Sequence, residues 1–425
     1  MRKDTSPCLT REDRFCLLLC RGQLTPEEEV RALEFLSAPL AWSVFLDRGY
    51  VHQVYPLLYH NLRQFGFPGV PEAVQAELNR AYQANRLRNQ FLSEELDRLL
   101  CLLNNADIHT IPLQGVRLTE SLYGDLSARV CADIDLLVPP VQFQRGIEVI
   151  LSAGYPDVFK QPFLRKLRLR YGHHYAFHRN QAGHSSVVEL RWRLLQHSWH
   201  SNEIVNDLWA EVWPRHIRGI SAYALSREWE VLYLAVRAAA RGWRGLKLLV
   251  DVHQLCMSRP PDWECLMEKA KQFALDSVIR QTLAACSLLF GTPLPEGFAP
   301  VSLPARVRFF PLTPVPAGVP EAAFFPLMLL QRSWDKLRCA AKILIVPKPA
   351  DQDFADLTAA VRFVYYPSLV VRLIGKQVKH LLVSLRPESP VEPPPASQDS
   401  EGRPVDKNGA GQSPDSGDQT SAAAS

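Results

Sequence analysis

Two aspartates interrupt an apolar segment at residues 129–138, RVCADIDLLV, whose composition is otherwise typical of a buried β-strand. Residues at positions i and i+2 of a strand face the same side, so the carboxylates of Asp133 and Asp135 project together, about 7 Å apart along the chain. Two negative charges at that spacing repel each other unless one carboxylate is protonated or a cation lies between them. Because Mg²⁺ binds through a few carboxylates plus substrate phosphates, the segment predicts a metal site that serves a phosphate-containing substrate.

The composition and charge of the chain argue against several classes of protein. The 425 residues are 47% hydrophobic and carry a formal net charge of +4, which is small for a nucleic-acid-binding protein with a basic face. The nine cysteines contain no CxxC pair, which argues against a zinc ribbon or a disulfide scaffold. The N-terminus lacks the apolar core of a signal peptide, and no apolar run approaches the roughly 20 residues that span a bilayer. We therefore expect a cytoplasmic protein with no membrane partner and no strong nucleic-acid partner.

Hydrophobic periodicity divides the chain into four regions. Apolar residues recur every three to four positions in residues 1–104, which predicts an N-terminal helical lobe, and again in residues 199–385, which predicts a C-terminal helical region. Residues 105–198 change to short β-like segments separated by helices, which predicts an α/β core with a small mixed sheet. Residues 386–425 lack aromatic side chains and are rich in Pro, Ser, Gly and Asp, so we expect a disordered tail. The predicted fold class is α+β, a small mixed-sheet core flanked by two helical lobes.

The order of four segments resembles a known family. The segments are PLQG at 112–115, ARVCADIDLLV at 128–138, a helix ending in AGY at 153–155, and VVELRWRL at 187–194. Their arrangement is similar to the uncharacterised nucleotidyltransferase family of the polymerase-β-like superfamily. The resemblance covers most of residues 30–290, and it implies that residues 105–198 form a nucleotidyltransferase core.

The resemblance implies a third metal ligand, Glu189, in the segment SSVVELRW. Alternation along that strand places Val187, Glu189 and Arg191 on one face, so the Glu189 carboxylate can point to the side of the sheet that holds the aspartates. Three carboxylates suit one or two Mg²⁺ ions, which would neutralise the triphosphate of an NTP substrate and orient an in-line attack. Asp133, Asp135 and Glu189 are therefore the predicted metal ligands and catalytic residues, and Glu189 is the candidate for taking the acceptor's proton.

Three further residues are predicted to bind the nucleotide. Gly115 opens a helix, where a residue without Cβ lets backbone N–H groups approach a phosphate; the alternative is a plain turn glycine. Arg129 offers a guanidinium that matches phosphate oxygens, or it forms only a structural ion pair with Asp125 or Asp133. Gln114 stands where the family usually has Lys, which removes a cation from this part of the site.

The reaction that the resemblance implies is transfer of a nucleoside monophosphate from an NTP to an acceptor, with release of pyrophosphate. Small-molecule, sugar, peptide and protein acceptors all remain open, because the loops that shape the cleft decide the acceptor. The alternative is a catalytically inactive nucleotide-binding or scaffolding protein of the same fold. Gln114 and Arg191 favour that alternative because they replace the family's usual Lys and His; Arg237 and Arg241 also stand where a later helix often has His.

Two other groups of polar residues have structural alternatives. His174 and His178 share a strand face but lie about 13 Å apart, too far for one zinc ion, so we expect solvent-facing or substrate-side histidines. Asp251 matches an acidic position of the family's downstream helix. It either pairs with Arg244 or Lys247 or lines the cleft.

Overall fold

The computed structural model describes residues 9–181, 184–194, 201–295 and 298, all of them within one compact unit, Met1–Lys376. This part of the chain holds thirteen helices and a small mixed sheet, which is consistent with the predicted α+β class. Two predicted helical stretches, at 324–344 and 365–385, and the predicted tail at 386–425 lie outside the described residues. Among the helices that are described, none combines the length and apolarity needed to cross a bilayer.

Five helices precede the sheet. Thr10 and Thr25 begin the first two with capping boxes, in which the hydroxyl accepts the N–H three residues later. The fifth helix is 34 residues long and links two apolar cores: Leu78 packs with the other helices, whereas Leu103 packs with the residues of the sheet. The five helices are α1 (Arg11–Leu19), α2 (Pro26–Leu36), α3 (Trp42–Val51), α4 (Tyr55–Gln64) and α5 (Glu72–Asn105).

A four-stranded mixed sheet follows α5. Its strand order is β1-β2-β4-β3, with β2 and β4 parallel and the other two pairs antiparallel. The last two strands, β3 and β4, pair as an antiparallel hairpin, and residues 182 and 183 of its turn lie outside the described part. The strands are β1 (Ile111–Pro112), β2 (Ile134–Leu137), β3 (His174–Gln181) and β4 (His184–Arg191). The helices between them are α6 (Val116–Tyr123), α7 (Phe143–Ser152) and α8 (Pro162–Tyr171).

The C-terminal part of the described chain is mainly helical, but its first helix is followed by a hairpin that the periodicity did not indicate. Two short antiparallel strands meet at Arg218 and Gly219, which both have positive φ angles, as tight hairpin turns require. Strands of only five residues are too short to establish a period, which explains why this hairpin was not predicted. The elements are α9 (Ser201–Glu211), β5 (Trp213–Ile217), β6 (Ile220–Ala224), α10 (Arg227–Ala240), α11 (Lys247–Ser258), α12 (Trp263–Gln272) and α13 (Asp276–Phe290).

Candidate metal and nucleotide site

Three carboxylates converge at the junction of β2 and β4. Asp133, Asp135 and Glu189 each offer an oxygen, and these oxygens lie within 4.8 Å of one another. Asp135 is 1% exposed, whereas the Glu189 side chain is 20% exposed. The cluster therefore combines one buried acid with an acid that solvent and ligands can reach.

The register of the two parallel strands brings the acids together. Asp135 pairs directly with Glu189 across the β2–β4 ladder, so their side chains leave the sheet on the same face. The residues beside them, Leu136 and Leu190, are fully buried in the apolar core on the other face. A shift of one residue in register would turn the carboxylates toward the apolar core and the leucines toward the site, so core packing maintains the register.

Arg191 and Gln114 engage the carboxylates from within the protein. The Nε of Arg191 donates to Oδ1 of Asp135 at 2.8 Å, and its Nη2 donates to Oε2 of Glu189. The Nε2 of Gln114 donates to Oδ2 of Asp135 at 2.5 Å. Both oxygens of Asp135 therefore already accept one hydrogen bond, and a guanidinium that is 4% exposed bridges two of the three acids.

The three acids differ in their affinity for a proton. Burial raises the pKa of Asp133, and the neighbouring charge of Asp135 raises it further. Burial also raises the pKa of Glu189, against the opposing effect of Arg191. For Asp135 burial is outweighed by the charges of Arg191 and Arg237 and by its hydrogen bonds, which lower its pKa below the ordinary value. Asp135 therefore remains ionised, while Asp133 and Glu189 hold their charge less readily.

Three buried polar atoms around these acids have no hydrogen-bond partner in the part of the chain that is described. They are Oε1 of Gln114, the hydroxyl of Tyr233 and Nε of Arg237. Tyr233 and Arg237 stand one helical turn apart on α10, and the Arg237 guanidinium lies 5.9 Å from the centre of the Tyr233 ring. Buried polar groups are nearly always hydrogen-bonded. Three unpaired polar atoms beside the acids therefore indicate a site that a ligand completes.

Gly115 lies directly beside the aspartate strand. It precedes α6 with φ 73° and ψ −138°, a region of backbone conformation that favours glycine. A Cβ on this residue would lie 3.1 Å from the carbonyl oxygen of Asp133. The absence of a side chain therefore lets the first turn of α6 approach the carboxylate segment closely.

Arg129 has a partner that the sequence did not predict. Its Nε donates to both carboxylate oxygens of Asp251, at 3.0 and 2.9 Å, and Tyr123 donates to the same carboxylate. The ion pair is buried, with side chains 5% and 0% exposed. The structural alternatives named Asp125 or Asp133 as the partner of Arg129, and Arg244 or Lys247 as the partner of Asp251. These partners were wrong, because Arg129 and Asp251 pair with each other. A contact between Arg129 and a phosphate would require this buried pair to separate.

The carboxylate cluster fits a divalent ion. Oxygen ligands are those that hard cations such as Mg²⁺ prefer, and the spread of these oxygens suits a shared cation. Two of the acids keep partial access to solvent. The residues that could hold the ion are thus Asp133, Asp135 and Glu189, with Arg191 competing for the last two.

Comparison with known protein families supports this geometry. The profile of the family described as "uncharacterised nucleotidyltransferase" matches residues 38–291, more than half of the chain. The chain belongs to the uncharacterised nucleotidyltransferase family. Membership implies an NTP substrate and a divalent metal, and the acidic cluster is compatible with both. No curated protein and no solved structure matches the chain.

Sequence reasoning missed some residues at the site of this nucleotidyltransferase. Tyr233 was not singled out, and Arg237 was noted only as a departure from the family's pattern. His174 was expected to face solvent or substrate; its Nε2 lies 3.9 Å from Oε1 of Glu189, and burial lowers its pKa, so it is neutral. A signal for α10 was available in the spacing of Tyr233 and Arg237, because residues at i and i+4 share one helix face.

Proposed function

We propose that this protein is a Mg²⁺-dependent nucleotidyltransferase that transfers a nucleoside monophosphate from an NTP to an acceptor and releases pyrophosphate. The observation that carries the proposal is the approach of three carboxylate oxygens to within 4.8 Å: one from β2, one from β4 and one from the residue before β2. Family membership supplies the reaction class. The acceptor is a small molecule, sugar, peptide or protein.

The residues of the site have three proposed roles: metal binding, orientation of a metal ligand, and proton acceptance. Asp133, Asp135 and Glu189 would hold one or two Mg²⁺ ions, which neutralise the polyphosphate and favour an in-line displacement. Arg191 and Gln114 orient Asp135 by donating to its two oxygens. Glu189 is the candidate for accepting the acceptor's proton, since its raised pKa brings it closer to that of a useful base.

The first turn of α6 is the proposed contact for a phosphate oxygen. Gly115 brings the backbone of this turn close to Asp133, and helix N-termini carry free N–H groups and a partial positive charge. Arg129 is a positioning residue in this scheme, because its guanidinium is held by Asp251.

The test is a turnover assay on the full chain with each labelled NTP, Mg²⁺, a panel of acceptors and the protein itself. Pyrophosphate release should depend on Mg²⁺ and should fall by roughly a hundredfold or more in Asp133→Asn and Asp135→Asn, as expected for the loss of a metal ligand in such chemistry. Asp97→Asn is a matched control, because Asp97 is a partly exposed carboxylate that pairs with Arg218 instead. Equal turnover by the wild-type protein and both site variants would refute the assignment.

A second candidate function is nucleotide binding without turnover. The observation in its favour is the ion pair between Arg191 and Asp135, which occupies carboxylate oxygens that a catalytic ion would use. Calorimetry separates the two functions: a non-catalytic protein binds an NTP with Mg²⁺ and releases no pyrophosphate in the presence of any acceptor.

A further inference from the structure

The inner face of α10 carries two polar groups without internal partners, directly beside the carboxylate cluster. The hydroxyl of Tyr233 and Nε of Arg237 are buried, and neither has a hydrogen-bond partner among the described residues. Tyr233 is 1% exposed. Leaving a buried donor unpaired is unfavourable, so a ligand that accepts from both groups would relieve that cost.

Arg237 differs from its neighbour Arg191 in this respect. Arg191 donates hydrogen bonds to Asp135 and Glu189. Arg237 lies close enough to Asp133 and Asp135 for their charges to affect one another, yet it forms no ion pair with either within the described chain. Arg191 therefore binds the protein's own acids, whereas the Nε donor of Arg237 is available to a ligand.

We propose that Tyr233 and Arg237 form an oxyanion site that binds the polyphosphate of the NTP substrate. The proposal rests on the proposed function and names residues of the substrate site that the family resemblance does not supply. Both groups are donors, and one is a cation, so the complementary ligand is an anionic oxygen. A guanidinium matches the geometry of phosphate oxygens especially well.

The position of Tyr233 and Arg237 beside the acids favours the polyphosphate over the other parts of the substrate as their ligand. Asp133 and Asp135 would hold a metal ion that also binds substrate phosphates, so the polyphosphate would lie beside the same acids whose charges affect Arg237. Burial raises the pKa of Tyr233 to about 12, so its hydroxyl stays protonated and can donate to the anion. A carboxylate on the acceptor would offer similar oxygens, and the experiment below separates the two sources.

The test measures binding of inorganic tripolyphosphate to the full chain by calorimetry in the presence of Mg²⁺. This probe has no base, sugar or acceptor carboxylate. Arg237→Gln should weaken binding by about tenfold to a hundredfold, which is the range expected when a charged hydrogen bond is lost, and Tyr233→Phe should weaken it by about fivefold. Arg237→Lys should restore part of the affinity, because it returns the charge without the planar fork.

Two further measurements separate ligand binding from a structural role. Arg227→Gln is the matched control: Arg227 lies on the same helix but pairs with Glu230, so tripolyphosphate affinity should not change. Binding of Mn²⁺ alone, followed by electron paramagnetic resonance, should be retained or tightened in Arg237→Gln, because the change removes a positive charge beside the acids. A general disruption of the site would weaken both ligands.

The outcomes are distinct. If wild-type protein and Arg237→Gln bind tripolyphosphate equally, the oxyanion site is refuted and the proposed function stands. If the wild-type protein binds neither tripolyphosphate nor any of the four common NTPs with Mg²⁺, both proposals fall. If Arg237→Gln loses affinity for a carboxylate-bearing acceptor but not for tripolyphosphate, the site belongs to the acceptor and this inference is wrong.

Discussion

Two of the regions that bury charged side chains differ in how those charges are balanced. Arg129 and Asp251 form a buried pair in which the guanidinium donates to both carboxylate oxygens and Tyr123 adds a third hydrogen bond. At the β2–β4 junction, three carboxylates crowd together, and only two of them are bridged by Arg191. The first region pairs one cation with one anion, whereas the second has an excess of acid, and Arg237 on α10 forms no ion pair within the described part of the chain.

The difference separates a structural use of buried charge from a functional one. A buried ion pair that is complete in itself needs no ligand, and removing one partner leaves an uncompensated charge. A cluster of like charges stores repulsion that a cation relieves on binding, and such perturbed groups are typical of functional sites. The following predictions test that contrast, beginning with the largest expected effect.

Asp251→Asn should destabilise the protein most. The change leaves the buried guanidinium of Arg129 without a countercharge, and breaking a buried pair in this way costs about 3–5 kcal/mol. Chemical denaturation measures the loss in the free energy of unfolding. Asp97→Asn, which breaks the partly exposed pair with Arg218, should cost no more than about 1 kcal/mol. Similar losses in the two variants would contradict the assigned role of the buried pair.

Asp133→Asn should weaken metal binding without destabilising the protein. Burial and the charge of Asp135 raise the pKa of Asp133, so its ionised form is disfavoured in the folded state. A neutral amide should leave the free energy of unfolding unchanged or raised, while the affinity for Mn²⁺ falls by roughly a hundredfold, about 2.7 kcal/mol. Denaturation and metal titration of the same preparation give both values. A large loss of stability without loss of metal affinity would assign Asp133 a structural role.

Gly115→Ala tests the backbone on which the carboxylate region depends. The new Cβ would lie 3.1 Å from the carbonyl oxygen of Asp133, in a backbone conformation that other residues rarely adopt, so we expect a loss of about 1–3 kcal/mol. Nucleotide affinity should fall with it. Gly124→Ala is the control: this residue also has a positive φ but no atom within 4 Å of the new Cβ, and its cost should be about 1 kcal/mol with no effect on nucleotide.

Arg191→His should change the affinity for a metal ion less than Asp133→Asn does, and in the opposite direction. It withdraws the permanent cation from Asp135 and Glu189, which lowers the thermal stability of the metal-free protein and frees carboxylate oxygens for an ion. Affinity for Mn²⁺ should rise by about tenfold, or about 1.4 kcal/mol. Calorimetry also gives the number of ions bound. Unchanged affinity and stoichiometry would mean that Arg191 does not compete with the metal.

Much of the architecture was predictable because it depends on local patterns. The short β-like segments predicted within residues 105–198 include β3 and β4, and the helical period predicted up to residue 104 includes α5, which ends at Asn105. The convergence of Asp133, Asp135 and Glu189 followed from family resemblance together with strand alternation, and the geometry brings them together. The β5–β6 hairpin and α8 were missed, since short elements with weak periodicity give little signal. The roles predicted for Gly115, Arg129 and Gln114 in nucleotide binding stay predictions.

The sequence alone determined which chemical groups the protein can bring to a site: two aspartates at i and i+2 and a glutamate on a later strand, with helices before and after them. Only the tertiary structure decided how those charges are matched. Arg129 and Asp251 are 122 residues apart, and Arg191 and Asp135 are 56 apart. No local pattern distinguishes an arginine that pairs from one that does not, because pairing depends on distances of a few ångströms set by the packing of whole strands and helices.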